Sequence, residues 1–161
     1  MPTIEDVYCK FGFVSEAAQL LETELGTLLF HESAVEEDLI DNPNPTLARD
    51  IYTKINKQTL GRLIHNSKSK ITSIEKLSDL LSAALVERNR LAHSFYLEHN
   101  FRLRAEDDTG RETMMEDLEN MHNIILDAFK AVMLISGIDL ENMSKFDDKE
   151  VNGPIPDHVK I

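Results

Sequence analysis

The chain has 161 residues, a hydrophobic fraction of 42% and a formal net charge of −12. That length suits one domain around a single core, and the apolar content excludes wholesale disorder. The single cysteine, Cys9, excludes an internal disulfide framework and a cysteine-built zinc site.

The first predicted element is a long helix. Val7, Phe11, Val14, Ala18, Leu21, Leu25 and Leu28 recur at steps of four and three, forming one apolar stripe. Thr3 followed by Asp6 is a start signal, and Cys9 is expected to be a small buried residue. The pattern fades at Glu36-Glu37-Asp38. Asp41-Asn42-Pro43-Asn44-Pro45 then breaks the chain, with Asn44 placed to cap a second helix whose first position is Pro45. That helix is predicted to run to His65, with Leu47, Ile51, Ile55 and Leu63 inward. Asn66-Ser67-Lys68-Ser69 reads as a turn.

Ile71 opens a third predicted helix, which ends between Tyr96 and Asn100 and turns Ile74, Leu77, Leu81 and Phe95 inward. A loop at Glu106-Asp107-Asp108-Thr109-Gly110 precedes the fourth. There Met114, Leu118, Met121, Ile125, Ala128, Val132 and Ile135 keep the same rhythm, and Gly137 terminates it. Residues 138–161 are polar and read as an extended tail. Four amphipathic helices and no strand signal predict an all-α fold. It is expected to be an up-down-up-down four-helix bundle over residues 1–137 with a short irregular tail at 138–161.

The opening MPTIEDVYCK lacks the basic-then-apolar layout of a secretory signal. No apolar run approaches the roughly 20 residues that cross a bilayer. A cytoplasmic location without a membrane partner is expected. The acidic total conceals a basic centre. Residues 51–104 carry 10 basic and 4 acidic side chains, and no acid lies between Ile51 and Ile74. Such a zone suits local phosphate binding, because short-range contacts outlast a screened overall field; it equally suits pairing with acidic neighbours inside a bundle.

No phosphate loop or nucleophile elbow is present, and the six histidines show no i, i+4 pair on one helix. Neither a metal nor a cofactor is expected. What remains is Arg88-Asn89-Arg90-Leu91-Ala92-His93. Asn89 and His93 share a helix face, so the amide can orient the ring. Arg88 lies five residues before His93, about 140° around an ideal helix. Either the arginine reaches around, the helix distorts, or a second copy of the chain completes the site. The chemistry these groups suit is internal cleavage of RNA. His93 would take the ribose 2′-hydroxyl proton, and Arg88 would brace the phosphate as charge builds on it. An imidazole from a second chain would protonate the leaving oxygen. The 2′-hydroxyl is the nucleophile, so the reaction needs no metal and spares DNA.

The six residues from Arg88 to His93 resemble the Arg-x4-His signature of HEPN domains (higher eukaryotes and prokaryotes nucleotide-binding), with Asn89 the family's usual polar residue after the arginine. The resemblance covers roughly residues 4–137. It implies a metal-independent endoribonuclease that dimerises with its motifs face to face, in a toxin–antitoxin or phage-defence setting. The implied partners are single-stranded RNA, a second copy of the chain and a nucleotidyltransferase-like antitoxin. By the same resemblance, Arg88 and His93 are catalytic and Asn89 supports them. The toxin branch often carries a tyrosine two residues after the histidine; here Phe95 holds that place and Tyr96 follows.

Arg90, His99, Arg102 and Arg104 extend the track as expected RNA contacts, with Tyr96 and Phe101 as stacking surfaces. His122 is a further residue that could face the site. Two other readings are open: a non-catalytic module of the same fold that binds a nucleotide or a protein, and a structural helical interaction protein.

Overall fold

The computed structural model describes residues 1–100, 102–104 and 109–140, with the backbone alone at Arg104. The described residues are helical, with no strand among them. Helix α1 spans Ile4–Glu36, α2 Pro45–Asn56, α3 Leu60–Lys70, α4 Thr72–Glu75, α5 Ser78–His93, α6 Phe95–Glu98 and α7 Thr109–Ile135; Arg102–Arg104 form one 3₁₀ turn.

Both expected start signals form. Thr3 Oγ1 accepts from the Asp6 N–H at 3.1 Å, while the Thr3 N–H donates back to Asp6 Oδ2 at 2.8 Å. Asn44 Oδ1 accepts from the Leu47 N–H at 3.1 Å, with Pro45 in the first turn of α2. Gly137 ends α7 at φ 83°. Its N–H donates to the Leu134 carbonyl, and that of Ile138 donates to Met133, which is a Schellman arrangement.

The middle of the chain departs from two uninterrupted helices. The turn at residues 57–59 divides the second into α2 and α3. A continuous helix would set Ile55 and Leu60 about 140° apart, whereas the turn buries both. Asn66-Ser67-Lys68-Ser69 is not a turn but the last part of α3, and Ser67 is fully buried there. The third predicted helix breaks after Glu75 and again at Ser94, and the second bend turns Phe95 into the core.

The core is laid down mainly between α1 and α7, with α5 packed on α7 and α3 on α1. Val7, Val14, Leu21 and Leu25 of α1 meet Met114, Leu118, Met121 and Ile125 of α7, all fully buried. Helix α5 touches α1 only lightly. That leaves a groove of about 310 Å³ between them, walled by Phe11, Ala18 and Glu22 on one side and by Arg88, Leu91 and Ala92 on the other. Cys9 lies outside the core, exposed on α1.

Gly110 is fixed by close approach. A Cβ there would stand 2.7 Å from the Arg102 carbonyl oxygen and 3.1 Å from its Cα. Gly110→Ala therefore forces the 3₁₀ turn off α7 and is expected to cost about 1–3 kcal/mol, read as a lower midpoint in urea.

Residues 141–161, most of the expected tail, lie outside the described residues, as do Phe101, 105–108 and the Arg104 side chain. Among the described residues no helix is long and apolar enough to cross a membrane.

Candidate functional site

The motif occupies the last two turns of α5. The helix turns Leu81, Ala84 and Leu91 into the core and leaves Val86, Asn89 and His93 outward. Leu97 follows on α6. Val86 and Leu97 are among the most exposed large apolar residues, at 61% and 79%. His93 is the final residue of α5. It is exposed and has no hydrogen bond, ion pair or ring contact among the described residues.

Arg88 has a different setting. It is half-buried in the α1–α5 groove, with Nη2 2.8 Å from Glu22 Oε1 and Nη1 donating to Asn89 Oδ1 at 3.2 Å. Glu22 Oε1 is buried yet receives no well-directed hydrogen bond, so charge proximity rather than a fork geometry holds the pair. Asn89 thus engages the arginine and not the imidazole, contrary to its expected ring-orienting role. Arg88 and His93 share a helix but are joined by no contact.

Arg90 points the other way, toward α7, and gathers carboxylates. Nε donates to Glu98 at 2.6 Å, while Nη1 donates to Asp117 at 2.9 Å and to Glu87 at 3.1 Å. Nη2 also meets Asp117. His99, one of the expected RNA contacts, is only 5% exposed. Arg102 Nη1 donates to His99 Nδ1 at 3.0 Å, and a guanidinium has no acceptor, so the ring proton sits on Nε2 and is donated to Asp117 Oδ2 at 2.6 Å. Burial alone would raise the Asp117 carboxyl. Hydrogen bonds from Arg90 and His99, with the Arg90 charge, outweigh that and hold it below the ordinary value of 3.8. Asp117 is the node that ties α5, the 3₁₀ turn and α7 together.

Tyr96 leans on Phe11 and Tyr8, with ring centroids 5.2 and 6.5 Å away, and remains 41% exposed. Burial, then the neighbouring Tyr8, raises its phenol above the usual range. His122 sits between α7 and α1, where Lys10 Nζ lies 3.1 Å from its Nδ1. Burial, and next the Lys10 charge, lowers its pKa against the opposing pull of Glu119.

The basic centre divides. Lys70 pairs with Glu36, whereas Lys54, Lys57 and Arg62 are exposed and make no ion pair among the described residues. Beside them, α1 and the α2–α3 turn enclose a larger cleft of about 490 Å³, and Glu22 belongs to its wall as well as to the Arg88 groove. Among the described residues no group of three His, Cys, Asp or Glu could hold a metal ion.

Sequence reasoning missed Glu22 and Asp117. Asp117 had a faint signal, an acid beside Leu118 at the edge of the apolar stripe. Glu22 had none, since it is one acid among many on α1. No known protein family matches the chain, and no curated protein or solved structure matches it either.

Proposed function

We propose that the chain is a HEPN-type endoribonuclease that cuts single-stranded RNA as a homodimer without a metal. The observation that carries this reading is the outer face of α5. It offers His93 as an imidazole unpartnered among the described residues, near exposed Val86 and, on α6, exposed Tyr96 and Leu97, while Arg88 stands in the adjoining α1–α5 groove. Exposed apolar residues around a lone polar group fit a surface that closes against a second copy. Two such faces related by a two-fold axis would bring two imidazoles and two guanidiniums around one phosphate. One His93 takes the 2′-hydroxyl proton and the 2′-oxygen attacks phosphorus. The 5′-oxygen leaves with a proton from the partner's imidazole, giving a 2′,3′-cyclic phosphate and a 5′-hydroxyl.

In this reading the helices group as a four-helix up-down-up-down bundle, with α2–α3 and α4–α5–α6 as broken second and third members. Arg90 and His99 serve its architecture, and Lys54, Lys57 and Arg62, unpaired among the described residues, supply phosphate contacts. The setting is cytoplasmic, with a nucleotidyltransferase-like antitoxin as the restraining partner.

The Glu22–Arg88 pair favours a second reading, a non-catalytic nucleotide- or protein-binding module, because the guanidinium is already engaged. One experiment separates them. Matched RNA and DNA strands are incubated with the purified protein in excess chelator, beside a measurement of its solution mass. The nuclease cuts only the RNA, leaves cyclic-phosphate ends and sediments as a dimer. Saturable binding without product would establish the module instead.

A further inference from the structure

We infer that the cleft between α1 and the α2–α3 turn is a guanine-binding pocket. Its biological use rests on the ribonuclease reading, in which it selects the nucleotide beside the cut; its existence does not. At about 490 Å³ it lies within the range of roughly 300–1,000 Å³ common for small-molecule sites. The floor is apolar, built from Gly26, Ile55 and Leu63, all buried.

The walls differ in hydrogen-bonding sense. On α1, Thr23 Oγ1 donates to the Gln19 carbonyl at 2.9 Å and Thr27 Oγ1 to the Thr23 carbonyl at 3.0 Å. Both hydroxyl protons are committed, so these residues offer the cleft lone pairs only. Of the Glu22 carboxylate beside them, Oε1 is buried against Arg88, which leaves Oε2 as its acceptor for the cleft. Across the cleft, Gln58 Oε1 is occupied by Asn66 Nδ2 at 2.8 Å, which leaves the Gln58 amide hydrogens as donors. At the rim Tyr52 is 57% exposed and stands edge-on to Phe30, at 89° with centroids 6.1 Å apart.

A ligand for this cleft needs donors along one edge, acceptors on the adjoining edge and a face for an aromatic ring. Guanine meets all three conditions. Its adjacent N1–H and N2 amino hydrogens suit a wall of one carboxylate oxygen and threonine hydroxyl lone pairs, and its O6 and N7 accept from an amide. Adenine and cytosine each place a ring-nitrogen lone pair where guanine has N1–H, against the acceptor wall. Uracil offers one N–H between two carbonyls. A plain amine or guanidinium would satisfy Glu22 yet leave the Gln58 donors and Tyr52 unused.

The test is calorimetric titration of the full chain with guanosine, inosine, adenosine, cytidine and agmatine. Guanosine is expected to bind, and inosine, which lacks the 2-amino group, to bind at least tenfold more weakly. Adenosine, cytidine and agmatine are expected to give no measurable binding at the same concentrations. Tyr52→Ala, at an exposed position, weakens guanosine at least about fivefold through lost stacking. The inference is overturned if guanosine fails to bind at millimolar concentration, if Tyr52→Ala leaves its affinity unchanged, or if agmatine binds and nucleosides do not. RNA cleavage without guanosine binding sinks the pocket and spares the nuclease. Guanosine binding without cleavage does the reverse.

Discussion

His93→Ala is expected to lower RNA cleavage by about a hundredfold to ten-thousandfold, the range that a positioned general acid–base group contributes. The fold should not register the change. His93 is exposed at the end of α5 and holds no contact among the described residues, and such surface replacements stay within about 0.5 kcal/mol. The discriminating measurement pairs single-turnover cleavage with a thermal melt of the same sample. A large rate loss at constant melting temperature supports proton transfer by this ring. Unchanged cleavage removes it from the chemistry, and with it the two-imidazole cleft. Heterodimers of wild-type and variant chains sharpen the result, because each cleft then keeps one imidazole and loses either the base or the acid.

The parts of the fold that were legible in the sequence are those fixed locally. Thr3 with Asp6, Asn44 with Pro45, and Gly137 each act within one turn, and the α1 and α7 stripes repeat long enough to be unambiguous. The breaks after Asn56 and Glu75 carry no glycine or proline. They exist because Ile55, Leu60 and Ile74 all reach the core only if the helix direction changes, which is a tertiary demand. Asn66 to Ser69 looked like a turn by composition, but burial of Ser67 against the core overrode that preference.

The site divides in the same way. The motif reads as a string because one helix carries it, whereas the engagement of its arginine depends on Glu22 from a helix far earlier in the chain. Arg90, His99 and Arg102 looked like a phosphate track because basic residues cluster there. Asp117 gathers Arg90 and His99 inward instead, while Arg102 stays exposed and donates to His99.

Asp117→Ala is accordingly expected to be the most destabilising polar substitution among the residues discussed. The carboxylate is 18% exposed and receives hydrogen bonds from Arg90 and His99. Removing it leaves a guanidinium and an imidazole N–H facing a partly buried gap. Arg90 keeps Glu87 and Glu98, so what is lost is a set of charge-assisted hydrogen bonds worth about 1.5–3 kcal/mol each, and the partial exposure places the total near about 3 kcal/mol. For a chain of this size, about 3 kcal/mol lowers the melting temperature by roughly 6–12 °C.

Asp117→Asn keeps the shape and removes only the charge, so its dependence on pH isolates the electrostatic part. A carboxyl held below its free value binds fewer protons folded than unfolded. Its stabilisation is complete above the unfolded value of 3.8 and is lost as pH falls through the lower, folded one. The gap in urea midpoint between wild type and Asp117→Asn should therefore be constant from pH 7 to about pH 5 and close as the pH drops below about 4. A gap that stays open under acid would mean that packing, not the carboxylate charge, holds α5 to α7. Arg90 would then owe its setting to Glu87 and Glu98 rather than to the Asp117 charge.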